Sequence, residues 1–450
     1  MTCHAPAEGR LGANYWKLLS AHSFSNLGDG LRLVAIPWLA SAITREPMLI
    51  ALATAAVRVP WLVFSLPAGV ITDRVDRRLL VAWMDVAGAI TMLAFAGIVL
   101  ANQASIADPA ALAAGTAGPP ANQAVLLGLL YLTALLIGLA EVLRDNSAQT
   151  LMPSIAPKDR LERANGRVWG AEIVMNQFVG PPLAGALLGV ALALPFLVNV
   201  GTFALAAGLA FAIAGSFAPR GPATTGRIAW RTEIGAGLTW LWNHRLLRSL
   251  ALILGALNAM GTMAVSIYVL FAQEILELDA GTFGLLLTGT AAGGVLGSLL
   301  AARISGVIGP GRALFTAMLG MGLGYGVIGL APVAALAWLM LLVIGFLVVQ
   351  WNVVTVSLRQ SIVPDHMLGR VNSVYRFFGW GMISVGSLLG GLVVSAGEPL
   401  LGREWALRTP FLLAAAVHLA LLVYALPRIN NRRVREATSA QEAGGLIGTT

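Results

Sequence analysis

The sequence predicts an all-α, polytopic membrane protein of twelve transmembrane helices arranged as two six-helix bundles. Three observations carry that expectation. Hydrophobic residues make up 57% of the chain and charged residues only 11%, a balance far outside the range of soluble domains. Apolar runs of membrane length follow one another along almost the whole chain. A segment of the first half is also repeated in the second.

A span needs about 20 apolar residues. Read in order, such runs fall at 18–42, 49–71, 79–101, 125–147, 169–191, 195–217, 248–273, 281–303, 311–331, 334–357, 372–396 and 408–427. The 51 glycines suit membrane helices, where small side chains let backbones approach closely. The first run is the most polar, with His22, Asn26, Asp29 and Arg32 at helical spacing. The second and third are joined by the short charged turn Gly69-Val-Ile-Thr-Asp73-Arg74-Val-Asp76-Arg77-Arg78, which admits only a tight hairpin. An Ala/Pro-rich, nearly uncharged loop at 102–124 leads to the fourth run and is expected to be mobile. The fifth contains Gly180-Pro181-Pro182-Leu183-Ala184-Gly185, where proline removes a backbone donor and kinks the helix. After the sixth, residues 218–247 form a linker in which Trp230, Ile234, Leu238, Leu241 and Trp242 share one helical face, with Arg231 and His244 off it. That pattern is expected to lie at the lipid interface.

The arginines set the orientation. One set of loops holds Arg74, Arg77 and Arg78, then Lys158, Arg160, Arg163 and Arg167, then Arg220, Arg227, Arg231 and Arg245, then Arg303, Arg312, Arg359 and Arg370. The opposite loops hold Arg45, Arg403 and Arg408. Cytoplasmic loops carry the basic excess, so both termini are expected in the cytoplasm, as in a multi-pass protein of the bacterial inner membrane. The net charge of +8 is read as this topology and not as a nucleic-acid surface.

Leu151-Met-Pro-Ser-Ile-Ala-Pro-Lys-Asp-Arg-Leu-Glu-Arg-Ala-Asn165 aligns with Leu358-Arg-Gln-Ser-Ile-Val-Pro-Asp-His-Met-Leu-Gly-Arg-Val-Asn372, sharing Leu, Ser, Ile, Pro, Leu, Arg and Asn. After a one-residue shift, Gly180–Gly185 aligns with Gly386–Gly391. The entrance to the fifth span therefore matches the entrance to the eleventh, a six-plus-six repeat. The expected organisation is a first bundle over 1–217, a linker over 218–247, a second bundle over 248–427 and a disordered tail over 428–450.

Several function classes are excluded. The only lysines, Lys17 and Lys158, do not follow glycine, so there is no phosphate-binding Gly-Lys-Ser/Thr loop. No His-Glu-x-x-His or Gly-x-Ser-x-Gly element is present, so an enzyme is not expected. Cys3 is the single cysteine, and the histidines (His4, His22, His244, His366 and His418) are scattered. Neither a metal site nor a cofactor is expected. The first fifteen residues lack the pattern of a cleaved signal peptide.

The hairpin turn resembles the Gly-x-x-x-Asp-Arg-x-Gly-Arg-Arg signature of major facilitator superfamily transporters, with Asp76 in place of the usual second glycine. The fifth span resembles the Gly-Pro-x-x-Gly-Gly motif of drug-exporting antiporters in that superfamily, with Ala184 replacing one glycine. The run Arg144-Asp-Asn-Ser-Ala-Gln149 … Pro153 … Leu161-Glu-Arg-Ala-Asn165-Gly166 … Asn176-Gln-Phe-Val-Gly-Pro-Pro is similar to the bacterial efflux branch that includes the enterobactin exporter and the macrolide efflux proteins. The resemblance implies proton-driven export of an amphipathic organic compound by alternating access. It also implies that Gly69, Asp73, Arg74, Arg77 and Arg78 act in conformational change, with Asp73 facing the start of the eleventh helix near Gly369–Ser373. Gly180, Pro181, Pro182 and Gly185 form the antiporter-like element.

Charges inside spans are costly, so each needs a reason. Asn26, Asp29 and Arg32 are expected to face a central cavity or the second helix, where Arg58 is placed to pair with Asp29. That pair either fixes helix packing, or Asp29 exchanges protons or contacts a polar substrate group. His22 is read as a solvated flank. Glu141, Arg144 and Asp145 end the fourth span, and their repeat equivalents Val348, Trp351 and Asn352 are uncharged. Arg144 and Asp145 are expected to reach the interface, as is Glu172, which leaves Glu141 and Asp29 as the proton-carrying candidates. On the second half Asn258, Tyr268, Gln350, Asn352 and Arg376 are candidate polar anchors. Trp351 and Phe377 offer flat apolar surface. Expected partners are a small amphipathic molecule, protons and the bilayer, with the chain monomeric and no nucleic acid. An importer, a lipid flippase and a non-transporting sensor or scaffold are the alternatives.

Overall fold

A computed structural model of the protein describes residues 11–72, 74–218, 230–429 and 431. The helices are α1 (Ala13–Ile43), α2 (Pro47–Thr72), α3 (Arg77–Asn102), α4 (Pro109–Ala113), α5 (Gln123–Ile155), α6 (Leu161–Glu172), α7 (Gly180–Leu188), α8 (Leu194–Phe211), α9 (Trp230–Asn243) and α10 (Arg245–Ser266). They continue as α11 (Tyr268–Glu274), α12 (Ala280–Ile308), α13 (Pro310–Leu330), α14 (Ala334–Ile362), α15 (Asp365–Leu401) and α16 (Arg403–Ala425). Among the described residues ten helices are long and apolar enough to cross a membrane. The polar α1 and the interrupted α6–α7 helix complete the twelve of an all-α, six-plus-six architecture.

The chain divides into two compact units. The first is Met1–Arg45, Ala56–Thr225 and Asp279–Leu285; the second is Glu46–Ala55, Gly226–Leu278 and Leu286–Thr450. Within the first, α1 packs on α7 and α8, and α3 packs on α5 and α8. Within the second, α10 packs on α15 and α16, and α13 packs on α14 and α16. The same pairing pattern thus occurs twice, as the sequence repeat requires.

The fifth membrane helix breaks in a way that proline alone did not announce. Between α6 and α7, residues Ile173–Val179 are π-helical, and the Gly180 N–H bonds the Met175 carbonyl five residues back. Pro181 and Pro182 lack the N–H groups that an α-helix would use here, and a looser turn accommodates their rings. The π stretch lies against α1, where Gly30 and Gly180 face each other. A Cβ on Gly30 would lie 2.5 Å from the Asn176 carbonyl oxygen and 2.9 Å from the Gly180 Cα.

Two connections differ from their sequence reading. The loop at 102–124 contains α4, whose N-terminus is capped by Asp108 accepting from the Ala110 N–H at 3.0 Å. Asn122 Nδ2 donates to Asn102 Oδ1 at 2.8 Å and closes the loop, which is therefore structured. The linker forms α9, which packs on α15. Leu241 is buried while Leu238 and Trp242 are exposed, so the apolar face divides between protein and the outside. The side chains of Trp230, Arg231 and Ile234 lie outside the described residues, as do Cys3, His4 and the tail from 432 onward. His244 ends the linker as the cap of α10, its Nδ1 accepting from the Leu247 N–H at 3.3 Å.

Gly30→Val should place atoms against backbone that has no rotamer to yield, and is expected to destabilise by about 1–3 kcal/mol. The control Gly128→Ala, where a Cβ meets nothing within 4 Å, should not destabilise. Thermal unfolding in detergent of the two variants checks the contrast.

Candidate functional site

The hairpin between α2 and α3 is built around Asp76. Its Oδ1 accepts from the Arg78 N–H at 3.0 Å and the Leu79 N–H at 3.4 Å, the bonding of a helix N-cap. Its Oδ2 accepts from the Phe217 N–H at 3.0 Å and from Ser216 Oγ at 3.2 Å, in the segment that follows α8. A glycine here would make neither set of bonds. Burial pushes the Asp76 carboxyl up, but the N–H donors of Phe217, Leu79 and Arg78 and the Ser216 hydroxyl outweigh it and hold the group below the usual aspartate value. Arg78 donates to the Ile213 carbonyl at 2.6 Å, and Lys17 to the Ala212 carbonyl at 2.5 Å. Cations thus answer the carbonyls at the end of α8, where the helix dipole is negative. Arg77 reaches the Thr150 carbonyl of α5 at 3.4 Å, Arg74 is exposed, and Gly69 faces open space. Asp73 lies outside the described residues. The eleventh helix begins earlier than expected, at Asp365, because Pro364 stands at its N-cap.

Deeper in the same unit a cluster of ionic side chains joins α1, α3 and α5. Asp29 and Arg32 are one helical turn apart on α1, and Glu141, Arg144 and Asp145 share one face of α5. Arg32 Nη2 donates to Asp29 Oδ1 and, at 3.2 Å, to Glu141 Oε2. Arg144 donates from Nη2 to Asp29 Oδ2 at 2.7 Å and from Nε to Asp145 Oδ1 at 2.9 Å. Trp61 Nε1 of α2 donates to Glu141 Oε1 at 3.3 Å. Asp85 of α3 accepts from Ser25 Oγ at 2.9 Å and lies 3.8 Å from Arg144 Nη1. The Arg32 guanidinium also stands over the Phe203 ring of α8, 5.9 Å from its centre. Side-chain exposure rises from 1% at Asp85 through 13% at Glu141 to 22% at Asp145, so the cluster has a dry end and a more open end.

Several expectations are corrected by this arrangement. Asp29 is held by Arg32 and Arg144; Arg58 of α2, half-buried, is not among its partners. The polar stripe of α1 faces its own unit: its ionic partners Arg144 and Glu141 are on α5, Ser25 bonds Asp85 of α3, and Arg32 stands over Phe203 of α8. Asn26 is buried and turns its amide to the His22 carbonyl at 2.9 Å. Arg144 does not reach the interface: it is buried, and two carboxylates make that position stable. Asp145 stays beside it. His22 is half-buried, with Nε2 3.8 Å from Glu172 Oε2, instead of forming a solvated flank. Asp85 escaped the sequence reading altogether, although a lone acid in a membrane span is itself the signal.

Among the candidates of the second unit, Gln350, Tyr268 and Asn258 have packing roles. Gln350 is buried and donates to the Ala313 carbonyl at 2.8 Å and to Thr316 Oγ1 at 3.0 Å, tying α14 to α13. Tyr268 is buried in a ring cluster with Phe271 and Phe411. Asn258 donates to the Gly379 carbonyl at 3.1 Å, joining α10 to α15. Asn352 is exposed and bonds its own helix at the Val348 carbonyl, and Trp351 is buried. The side chains of Arg376 and Phe377 lie outside the described residues. Among described residues the buried Asp and Arg side chains all belong to the first unit.

In the antiporter-like element, Gly180 packs on Gly30, Pro181 and Pro182 open α7 after the π stretch, and Gly185 is buried. The model of the Major Facilitator Superfamily matches residues 18–387. The chain belongs to the Major Facilitator Superfamily. It is accordingly a multi-pass membrane transporter and not an enzyme. Among similar members, the multidrug efflux pump Tap of Mycolicibacterium fortuitum is 26% identical over 407 residues, covering 89% of this chain and 93% of that protein. The enterobactin exporter EntS of Citrobacter koseri is 24% identical over 411 residues, covering 90% and 88%. Of solved structures with this superfamily fold, an inward-facing bacterial homologue of the iron transporter ferroportin superposes with a TM-score of 0.68 at 16% identity, over 92% of this chain and 100% of that one.

Two outcomes are expected from these contacts. Asp76→Ala should lose the cap and cost about 0.5–2 kcal/mol at neutral pH. Because the folded carboxyl titrates below its unfolded value, that contribution is complete above the unfolded value and fades as pH falls through the folded one. The gap between wild-type and variant melting temperatures should therefore close in acid. Arg144→Met should leave Asp29 and Asp145 short of their cation and destabilise by about 3–5 kcal/mol, read as a lowered melting temperature in detergent.

Proposed function

We propose that this transporter exports an amphipathic organic compound (a drug, siderophore or other natural product) in exchange for protons, by alternating access of its two halves. The observation that carries the proton part is the charge count of the buried cluster. Four carboxylates, Asp29, Asp85, Glu141 and Asp145, stand with two guanidinium groups, Arg32 and Arg144. An unmatched carboxylate in a dry interior takes up a proton in preference to remaining charged. Asp29 is bridged by both arginines and stays ionised. Glu141 has one arginine contact and a neutral indole N–H, so it is the carboxylate that gains and loses the proton.

Export is supported by the roles named for Tap and EntS and by the Gly-Pro-Pro element of α7. The loop arginines support an inner-membrane orientation with both termini in the cytoplasm. The bonds from Arg77 to α5 and from Arg78 to the end of α8 support a conformational role for the hairpin motif; for Asp73 that role rests on the motif resemblance alone. Arg58 and the exposed Asn352 are the candidates retained for substrate contact.

Everted vesicles offered a macrolide, an amphipathic cation and a catecholate siderophore should take up at least one of them, and a protonophore should collapse the uptake. In reconstituted liposomes Glu141→Gln should keep compound binding but lower the number of protons released per compound. Release at the wild-type ratio would remove Glu141 from the coupling step. Lack of flux for all three compounds would favour the scaffold alternative.

A further inference from the structure

Among the four carboxylates of the buried cluster, Asp85 is the one with no hydrogen bond from an arginine. It is 1% exposed, Oδ1 accepts the Ser25 hydroxyl at 2.9 Å, and Oδ2 is buried with no hydrogen-bond partner. The nearest cation, Arg144 Nη1, is 3.8 Å from Oδ1, beyond hydrogen-bond distance. The other nitrogens of Arg144 are committed to Asp29 and Asp145. The two arginines thus hydrogen-bond Asp29, Asp145 and Glu141, which leaves Asp85 as the carboxylate of the cluster without a bonded cation.

We propose that Asp85 is a second proton-binding site, held as a neutral carboxylic acid beside Ser25 and discharged when Arg144 turns to it. The inference rests on the proton-exchange reading above and adds a site to it. The groups around Asp85 are Ser25, Asp29 and Arg32 of α1, and Glu141, Arg144 and Asp145 of α5, with His22 beyond Asp145. The remaining packed helix, α8, has no titratable side chain in its sequence. In the step, the Asp85 O–H bond breaks and Arg144 Nη1 moves onto the new carboxylate. Arg144 Nε leaves Asp145, whose freed carboxylate takes the proton and passes it to water at the open end. The net charge of the cluster is the same before and after the transfer to Asp145, so the step never leaves a bare charge in the interior.

Infrared titration of the purified full-length chain tests this with protons as the only probe. At neutral pH the wild type should show the carbonyl band of a neutral carboxyl group that Asp85→Asn removes and Glu141→Gln leaves in place. Ser25→Ala, which changes no charge, should shift that band because the carbonyl oxygen loses its donor. A spectrum unchanged by Asp85→Asn would overturn the proposal, and so would a band unmoved in Ser25→Ala, which decides the matter even if Asp85→Asn fails to fold. In liposomes Asp85→Asn should lower the proton-to-compound ratio by one proton per cycle. A band present at Asp85 with no proton release in any compound assay would sink the exchange reading alone. Proton release lowered in Glu141→Gln with no Asp85 band would sink this inference alone.

Discussion

A bilayer offers no solvent to a buried guanidinium, so Arg144 has to be answered by protein groups, and that requirement fixes how the first unit assembles. Its carboxylate partners come from α1 and from its own helix, with Asp85 of α3 close by. Glu141 extends the network to α2 through Trp61. Four helices therefore share one ionic set, and none of them can rotate about its axis without breaking a short contact. Small residues then permit the approach: Gly30 and Gly180 bring α1 against the π-helical turn, and Gly28 receives the Asn199 amide of α8.

The second unit repeats the helix pairing with different chemistry. Amide-to-carbonyl bonds from Gln350 and Asn258, the hydroxyl of Tyr375 on the Leu247 carbonyl at 2.5 Å, and the Tyr268–Phe271–Phe411 ring cluster replace ions. Neutral bonds of this kind are weaker per contact in membranes, but they need no counter-charge. Ionic contacts occur at one end, where Arg403 ties Glu274 to Glu398. The duplicated backbone thus tolerates two quite different interiors, because pairing is set by apolar faces and small residues more than by the polar groups between them.

What the sequence made legible was local. Span positions follow from runs of apolar residues, and the six-plus-six repeat from the match between 151–165 and 358–372, so the fold could be read without coordinates. Partner choice was not local. That Asp29 binds Arg144 and not Arg58 depends on which face of α1 meets α5, and glycine contacts of α1 with α7 and α8 decide that face. Asp85 lay hidden between Met84 and Val86 in an otherwise apolar run. Asp76 was visible only as a departure from a motif, although an aspartate directly before Arg77-Arg78-Leu79 is also a helix N-cap signature. The π-helical turn left no trace beyond the prolines that follow it, since its hydrogen-bond register is a property of the whole α6–α7 segment.

The polarity of α1 also bears on how the protein reaches its membrane. Asp29 and Arg32 sit within the helix, and α1 is not among those apolar enough to count as a span by composition. Transferring either charge into lipid alone costs about 2.5–3.5 kcal/mol on insertion scales. Asp29 and Arg32 answer each other within α1, but their further partners, Arg144 and Glu141, are on α5, which leaves the ribosome later. The ionic set that α1 belongs to is therefore complete only once the fourth membrane helix has been made.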